Sequence, residues 1–104
     1  MEVKFFDIRL QKFIISLEKP THAKVLHMID LLEQFGSVLG MPHSKKISPR
    51  LFELRVRGVQ EVRIIYAFHN GAVMLLHGFI KKAQKIPTKE LRLAYYKLRS
   101  LDII

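Results

Sequence analysis

The hydrophobic and polar positions in the first third of the chain predict a short strand followed by two helices. Residues 3–6 read as the opening strand, and a helical repeat begins just after Asp7. The apolar positions of that repeat are Leu10, Phe13, Ile14 and Leu17. We expect Pro20 to interrupt this first helix. A second helix then resumes from Thr21, and Gly36 ends it in a left-handed cap. The two helices are predicted to form a hairpin.

The pattern of the following residues predicts a loop and then a meander of strands. Residues 36–49 contain two glycines, two prolines and three serines without a sustained period, so we interpret them as a connecting loop. Alternation then predicts three strands, at residues 51–56, 61–68 and 72–80. The hairpin signal Asn70-Gly71 joins the last two. Both faces of these two strands are largely apolar, which is typical of central strands covered on both sides.

A third helix is predicted to close the chain. Pro87-Thr88 opens this helix, and its buried stripe is expected to contain Leu91, Ala94, Tyr95 and Leu98. The resulting order is β-α-α-β-β-β-α, an α+β fold with an antiparallel-rich sheet. The helical hairpin has more apolar surface than the last helix, so we expect it to cover one face of the sheet. The other face is then left partly open, with the third helix at its edge.

The composition fits one small globular domain. The chain has 104 residues, of which 49% are hydrophobic, and it contains no cysteine. Its apolar stretches are only a few residues long, far short of the roughly 20 that span a bilayer. The first residues carry no secretory signal pattern, and the lack of thiols excludes disulfides and cysteine-based zinc sites. We therefore expect a single soluble domain over residues 1–104, located in the cytoplasm.

The positive charge is concentrated in the later part of the chain. The net charge of +9 comes from 18 Lys and Arg against 9 Asp and Glu. Residues 1–41 contain five bases and five acids, whereas residues 42–104 contain thirteen bases and four acids. Two interpretations stay open. One is a polyanionic partner, with nucleic acid as the first candidate, and the other is a generally basic, solvated surface.

The open face of the sheet is predicted to be lined by Arg55, Arg63 and the Lys81-Lys82 pair. Arg63 stands in a strand otherwise composed of interior residues, where an unpaired charge is costly. Either a structural carboxylate partner or an open anion site must therefore exist, and we favour the anion site. Arg55 has a simpler alternative, in which it pairs with Glu53 or Glu61.

The usual motifs of hydrolytic enzymes are missing. The sequence has no glycine-rich phosphate loop, no G-x-S-x-G elbow and no H-E-x-x-H pair, and its nine carboxylates are spread thinly. If the protein acts on nucleic acid, we expect it to do so without a metal or other cofactor. RNA permits this because its 2′-hydroxyl is an internal nucleophile beside the scissile phosphate. The candidate catalytic cluster, which would stabilise the charge on the phosphorane, is Arg55, Arg63, Lys82 and Lys85.

Other positions are assigned to RNA binding or to the core. The RNA-binding set is Lys45, Lys46, Arg57, Lys81, Lys89, Arg92 and Tyr96. Tyr96 would stack on a base. The simpler alternative for the lysines after the last strand is an ordinary solvated basic run. We expect His77, which stands in an apolar strand, to be a hydrogen-bonded core histidine, and Tyr95 to lie in the core.

Three segments carry a family resemblance. They are L-F-E-L-R at residues 51–55, E-V-R-I-I-Y-A-F at residues 61–68, and the run H-G-F-x-K-K-x-x-K-x-P that begins at His77. With the helical hairpin that precedes them, they resemble the RelE/HigB superfamily of type II toxins. The nearest branch is the phage-derived HigB-like group.

The resemblance implies a RelE-like fold and a ribosome-dependent mRNA endonuclease, an mRNA interferase that needs no metal. It places Arg55 and Arg63 on paired strands that grip the scissile phosphate, and Lys82 and Lys85 in the superfamily's basic segment. Candidates for proton transfer are His43, Lys46, Glu53 and Tyr96. The implied partners are mRNA, the ribosome and a cognate antitoxin, expected to be a helix-turn-helix protein from the adjacent gene. No membrane partner is implied.

Two other functions stay open. One is a non-catalytic module that binds RNA or the ribosome through the same charge, and the other is a basic scaffold protein with no nucleic-acid role. The catalytic hypothesis requires Arg55, Arg63 and Lys82 to converge in one pocket. It also requires that no buried acid neutralises Arg63.

Overall fold

The computed structural model describes residues 1–103, which form five strands and three α-helices. In chain order they are β1 (Val3–Phe5), α1 (Ile8–Ser16), α2 (Lys19–Phe35), β2 (Ser44–Lys46), β3 (Phe52–Val56), β4 (Val62–His69), β5 (Ala72–Ile80) and α3 (Thr88–Ile103). A 3-10 turn, Gly36–Val38, follows α2. The predicted α+β class is confirmed. Within the described residues, no helix is both long enough and apolar enough to cross a membrane.

The five strands form one mixed sheet in the order β1-β5-β4-β3-β2. The β3-β4-β5 meander is antiparallel, which confirms the prediction, while β1 lies parallel to β5. The prediction of a loop over residues 36–49 is wrong in one part, because Ser44–Lys46 form the edge strand β2 beside β3. A strand of three residues is too short to show a period of two, and its exposed lysines are typical of a sheet edge.

The helical hairpin packs on one face of the sheet, as predicted. The buried residues of this layer are Leu10, Ile14, Leu17, Val25, Met28, Ile29, Leu32, Leu54, Val56, Val62, Ile64, Tyr66, Val73 and Leu75. Asp7 caps α1 by accepting a hydrogen bond from the Leu10 backbone N–H at 3.1 Å. Gly78 allows α1 to approach β5 closely, since a Cβ there would lie 2.9 Å from Leu10 Cδ1.

Pro20 begins the second helix and does not interrupt the first, which corrects the sequence interpretation. α1 already ends at Ser16, and Pro20 stands in the first turn of α2. A proline is tolerated there because the first amide groups of a helix have no partner within it. Gly36 ends α2 with the expected positive φ of +52°, but its ψ of −125° differs from that of a left-handed helical cap.

α3 covers part of the other face of the sheet. The buried residues of this second layer are Leu51, Ile65, Ala67, Leu76, Phe79, Ala94, Leu98 and Leu101. A β-bulge opposite the Ile65/Tyr66 step places both Leu76 and His77 on the α3 side. The prediction that Tyr95 lies in this core is wrong, because the residue is 39% exposed. Tyr95 lies about 100° around the helix from Ala94, beyond the buried stripe.

A half-buried lysine ties α3 to the β1 side of the sheet. Lys97 Nζ lies 3.1 Å from Asp7 Oδ2 and donates a hydrogen bond to the Leu76 carbonyl at 2.9 Å. The same ammonium lies 5.7 Å from the ring centre of Phe6. The α3 layer is thereby held near β1 and β5. At the other side of the same face, Arg55 on β3 stands opposite Arg63 on β4.

Candidate nucleic-acid interface

Two arginines stand opposite each other on β3 and β4. The register pairs Arg55 with Arg63 and Glu53 with Ile65, so that Glu53, Arg55 and Arg63 share one face of the sheet. Like charges directly opposite each other destabilise strand pairing unless an anion lies close by. Glu53 supplies that anion.

Arg63 forms a buried ion pair with Glu53. Arg63 Nε lies 2.6 Å from Glu53 Oε1, and the two side chains are only 4% and 5% exposed. Neither atom has a hydrogen-bond partner of good geometry within the described residues, so the contact is a close charge pair. Arg63 Nη1 also donates to Glu61 Oε2 at 3.1 Å and to the Val62 carbonyl at 3.0 Å.

The expectation of an open anion site at Arg63 is therefore wrong. Of the two alternatives left by the sequence, the structure shows the carboxylate partner. The physical reason is the cost of removing a guanidinium from water in an interior strand. An internal carboxylate offsets this cost at all times, whereas an external phosphate would offset it only while bound. The catalytic hypothesis, as derived from the sequence, required that no buried acid neutralise Arg63, so this requirement is not met and Arg63 is not the group that grips the phosphate.

Arg55 has weaker internal contacts than Arg63. Its Nε lies 3.7 Å from Glu53 Oε1, and its side chain is 15% exposed. The pairing with Glu53 considered from the sequence is thus present, but at a longer distance. Arg55 Nη1 contacts Met41 Sδ at 3.8 Å, and a thioether is a weak acceptor. Of the two arginines, Arg55 is the one whose guanidinium is better placed for an external anion.

A cleft of about 540 Å³, here called the first cleft, opens beside the arginine pair. Its lining residues are Arg55, Arg57, Glu61, Arg63, Lys81, Lys82, Ala83 and Gln84. The structure therefore brings together three of the four predicted catalytic residues, together with Arg57 and Lys81 from the RNA-binding set. One carboxylate lies among five cationic side chains, which favours the binding of an anion.

A second cleft of about 400 Å³ adjoins the first and shares Lys81 and Gln84 with it. It is lined by Lys45, Lys46, Ile47, Glu53, Lys81, Gln84, Lys85, Ile86 and Leu91. The segment after β5 carries Lys82 to the first cleft and Lys85 to the second. Lys85 therefore lies apart from the other members of the predicted catalytic cluster, which corrects that prediction. Together the two clefts hold eight Lys and Arg residues and two glutamates.

The remaining predicted residues lie elsewhere. Lys89, Arg92 and Tyr96 are exposed on α3, and none of them lines either cleft as the described residues define it. Among the candidates for proton transfer, Lys46 and Glu53 line the second cleft, whereas His43 and Tyr96 line neither cleft. His77 is a hydrogen-bonded, half-buried histidine as predicted, with its Nε2 at 3.3 Å from Glu90 Oε1.

At the clefts, Gln84 had no predicted role, and Glu61 was considered from the sequence only as a partner of Arg55. Gln84 lines both clefts, and its position inside the run that begins at His77 was the available signal. The structure pairs Glu61 with Arg63 Nη1, and its position just before β4, two residues from Arg63, was the available signal. Across residues 1–103, no group of three or more His, Asp and Glu side chains is arranged to hold a metal ion.

The fold and the clefts define a class of protein. A helical hairpin on one face of a mixed sheet, a C-terminal helix on the other and a basic meander are compatible with the RelE-like fold. Residues 12–99 match the family described as Phage derived protein Gp49-like (DUF891), so the chain belongs to that family. The family is toxin-like and related to RelE and HigB. No curated protein matches the chain.

Proposed function

We propose that this protein is the toxin of a type II toxin-antitoxin system and cleaves mRNA on the ribosome. The observation that carries the proposal is the pair of adjoining clefts, in which eight cationic side chains surround two glutamates. Such an excess attracts a polyanion, and the release of counterions from RNA drives association. The relation of the family to RelE and HigB toxins supports mRNA as that polyanion.

The proposed reaction uses the RNA 2′-hydroxyl as the nucleophile. Its oxygen attacks the adjacent phosphorus, the bond to the 5′-oxygen breaks, and the products carry a 2′,3′-cyclic phosphate and a 5′-hydroxyl. The proton of the 2′-hydroxyl leaves to a base, and the leaving oxygen gains one from an acid. Arg55 and Lys82 stabilise the charge that develops on the phosphorane, since both line the first cleft. No step requires a metal.

The buried ion pair has a positioning role in this proposal. Glu53 Oε1 lies between Arg63 Nε at 2.6 Å and Arg55 Nε at 3.7 Å, so one carboxylate orients both guanidinium groups. Arg63 then forms the floor of the first cleft, and Arg55 contacts the phosphate. The second cleft, with Lys45, Lys46 and Lys85, holds the neighbouring backbone of the message. A cognate antitoxin, a helix-turn-helix protein from the adjacent gene, would block these clefts.

A cleavage assay on programmed ribosomes tests the proposal. We expect Arg55→Ala and Lys82→Ala each to lower the cleavage rate by about 10²- to 10³-fold, the usual effect of losing one group that stabilises transition-state charge. Lys12→Ala is the matched control, because Lys12 is an exposed lysine on α1 outside both clefts. A single 2′-deoxy nucleotide at the cleavage position should abolish the reaction. Cleavage that survives this replacement contradicts the mechanism.

One observation favours a second function, a module that binds RNA or the ribosome without chemistry. Arg63 is neutralised inside the sheet, so it is not free to act on a phosphate. Binding alone needs only the exposed cations of the clefts. Ribosome or RNA binding that depends on Arg55, with an intact message and unimpaired bacterial growth, would establish this alternative.

A further inference from the structure

A pocket of about 300 Å³ lies between α2 and β3, on the hairpin side of the sheet. We call it the α2–β3 pocket. Its apolar lining consists of Met28, Pro42 and Val56. Met28 and Val56 belong to the buried core beneath the hairpin, so the packing of α2 on β3 fixes this wall. The volume is at the lower limit for small-molecule pockets, and it matches one large apolar side chain better than a whole ligand.

The rim of the α2–β3 pocket is cationic. It is lined by Lys24, Arg55 and Arg57 together with His27 and His43. Among the described residues no carboxylate lines this pocket, whereas each basic cleft contains a glutamate. Lys24 is held in place, since its Nζ donates a hydrogen bond to the Arg57 carbonyl at 3.0 Å. Fixed cations around an apolar centre are complementary to a chain that carries carboxylates on both sides of an apolar residue.

A peptide fits the α2–β3 pocket better than RNA does. The wall that an inserted group would meet is aliphatic, whereas the groups on which a base could stack, guanidinium and imidazole, belong to the rim. We propose that the pocket binds an acidic peptide segment of a partner protein, with one apolar side chain inserted against Met28 and Val56. Carboxylates on either side of that residue pair with Lys24, Arg55 and Arg57.

Occupation of the α2–β3 pocket also controls the basic clefts. Arg55 and Arg57 line both this pocket and the first cleft, so an acidic segment that engages them removes two cations from the RNA path. This consequence rests on the proposed function, whereas peptide binding itself does not. The partner would therefore inhibit by competition at two shared arginines.

Methyl NMR of the full chain labelled at methionine tests the binding. The probe is a pentapeptide with a central leucine between Asp and Glu residues, blocked at both ends. We expect saturable shifts of the Met28 methyl signal, assigned with Met28→Leu. A peptide with serine in place of leucine should bind about tenfold more weakly, because the buried apolar side chain is lost. Equal binding of the two peptides overturns the proposal.

Substitutions to glutamate on the rim locate the site. Lys24→Glu and His27→Glu are each expected to weaken peptide binding about tenfold more than the control Lys12→Glu, which changes charge on α1 away from the pocket. Both rim variants should bind an RNA oligonucleotide as the control does, because neither residue lines a basic cleft. His27 is exposed and makes no side-chain hydrogen bond within residues 1–103, so this variant remains informative if Lys24→Glu unfolds.

Competition experiments separate the two proposals. The peptide is expected to displace labelled RNA from the wild-type chain, and it should do so less well from His27→Glu. If RNA alone shifts the Met28 methyl and His27→Glu weakens RNA binding, the pocket belongs to RNA and the peptide proposal is wrong. If the peptide binds as described and the chain has no affinity for RNA, the proposed function fails while this site stands.

Discussion

The two sides of the α3-bearing sheet face use charge in opposite ways. Near β1, Lys97 is fully engaged, with Asp7 Oδ2 at 3.1 Å, the Leu76 carbonyl at 2.9 Å and the Phe6 ring beneath it. At the β3–β4 pair, Glu53 faces two guanidinium groups and Glu61 contacts one of them, and Glu53 Oε1 and Arg63 Nε have no well-aligned hydrogen bond within the described residues.

The difference separates a closed structural contact from a site with a deficit of anions. Around Lys97 the ammonium contacts an internal carboxylate, a backbone carbonyl and an aromatic ring, which together hold α3 to the sheet. Around Arg63 the internal carboxylate neutralises one arginine, and Arg55, Arg57, Lys81 and Lys82 stay in excess. The excess of cations at the second arrangement favours an external anion, whereas Lys97 already has an internal carboxylate. Three substitutions, described from the largest expected effect to the smallest, test this contrast.

Glu53→Gln is expected to have the largest effect on stability. It leaves the buried Arg63 without its nearest carboxylate, and breaking a buried pair in this way typically costs about 3–5 kcal/mol of unfolding free energy. Urea unfolding followed by circular dichroism measures the loss. The matched control is the double variant Glu53→Leu/Arg63→Met, which removes both charges and should recover most of the stability. If the double variant is no more stable than Glu53→Gln, the loss of stability comes from altered packing and not from the unpaired charge.

The meander and the helical hairpin were predictable from sequence because each has a regular period. Alternation over β4 and β5 and the Asn70-Gly71 turn define strands that the structure confirms. The strand β2 was missed because three residues show no period. The convergence of Arg55 and Lys82 on one cleft followed from their positions on β3 and just after β5.

The partner of Arg63 could not be chosen from the sequence. A period of two places Glu53 and Arg55 on one face, but it does not say whether the Glu53 side chain reaches across to the neighbouring strand. That reach depends on the β3–β4 register, which puts Glu53 opposite Ile65 and diagonal to Arg63. The same limit applies to Lys85, because the loop after β5 decides which cleft each lysine enters.

Lys97→Met is expected to have the second largest effect, a loss of about 2 kcal/mol of unfolding free energy through the hydrogen bonds to Leu76 and Asp7. Burial raises the pKa of Asp7, but the Leu10 backbone hydrogen bond, Lys97 and Arg9 outweigh it, so this pKa is lowered from its ordinary value. A depressed carboxyl pKa contributes stability that is present above the unfolded pKa and lost as the pH falls through the folded one.

The stability difference between the wild type and Lys97→Met should therefore shrink as the pH falls from about 5 to below the folded pKa of Asp7. Unfolding curves at stepped pH values measure it. Asp7→Asn is the control, since the amide keeps a capping oxygen for Leu10 but has no charge to titrate. A difference that stays constant with pH would assign the effect of Lys97 to the Leu76 hydrogen bond and the Phe6 contact.

Arg50→Ala is expected to have the smallest effect, although its contact with Asp102 has the better geometry. The pair is bidentate, at 2.7 and 3.1 Å, and the hydrogen bond from Arg50 holds the pKa of Asp102 below its usual range. Both side chains are nearly half exposed, so water and salt compete with the contact. Unfolding at low and high salt should show a difference at low salt that disappears at high salt, and Arg50→Lys, which keeps the charge but not the bidentate contact, should lose less than Arg50→Ala. If Arg50→Ala instead loses as much unfolding free energy as Lys97→Met, burial does not explain the stability that Lys97 contributes. The contrast between the two sides must then rest on hydrogen-bond geometry.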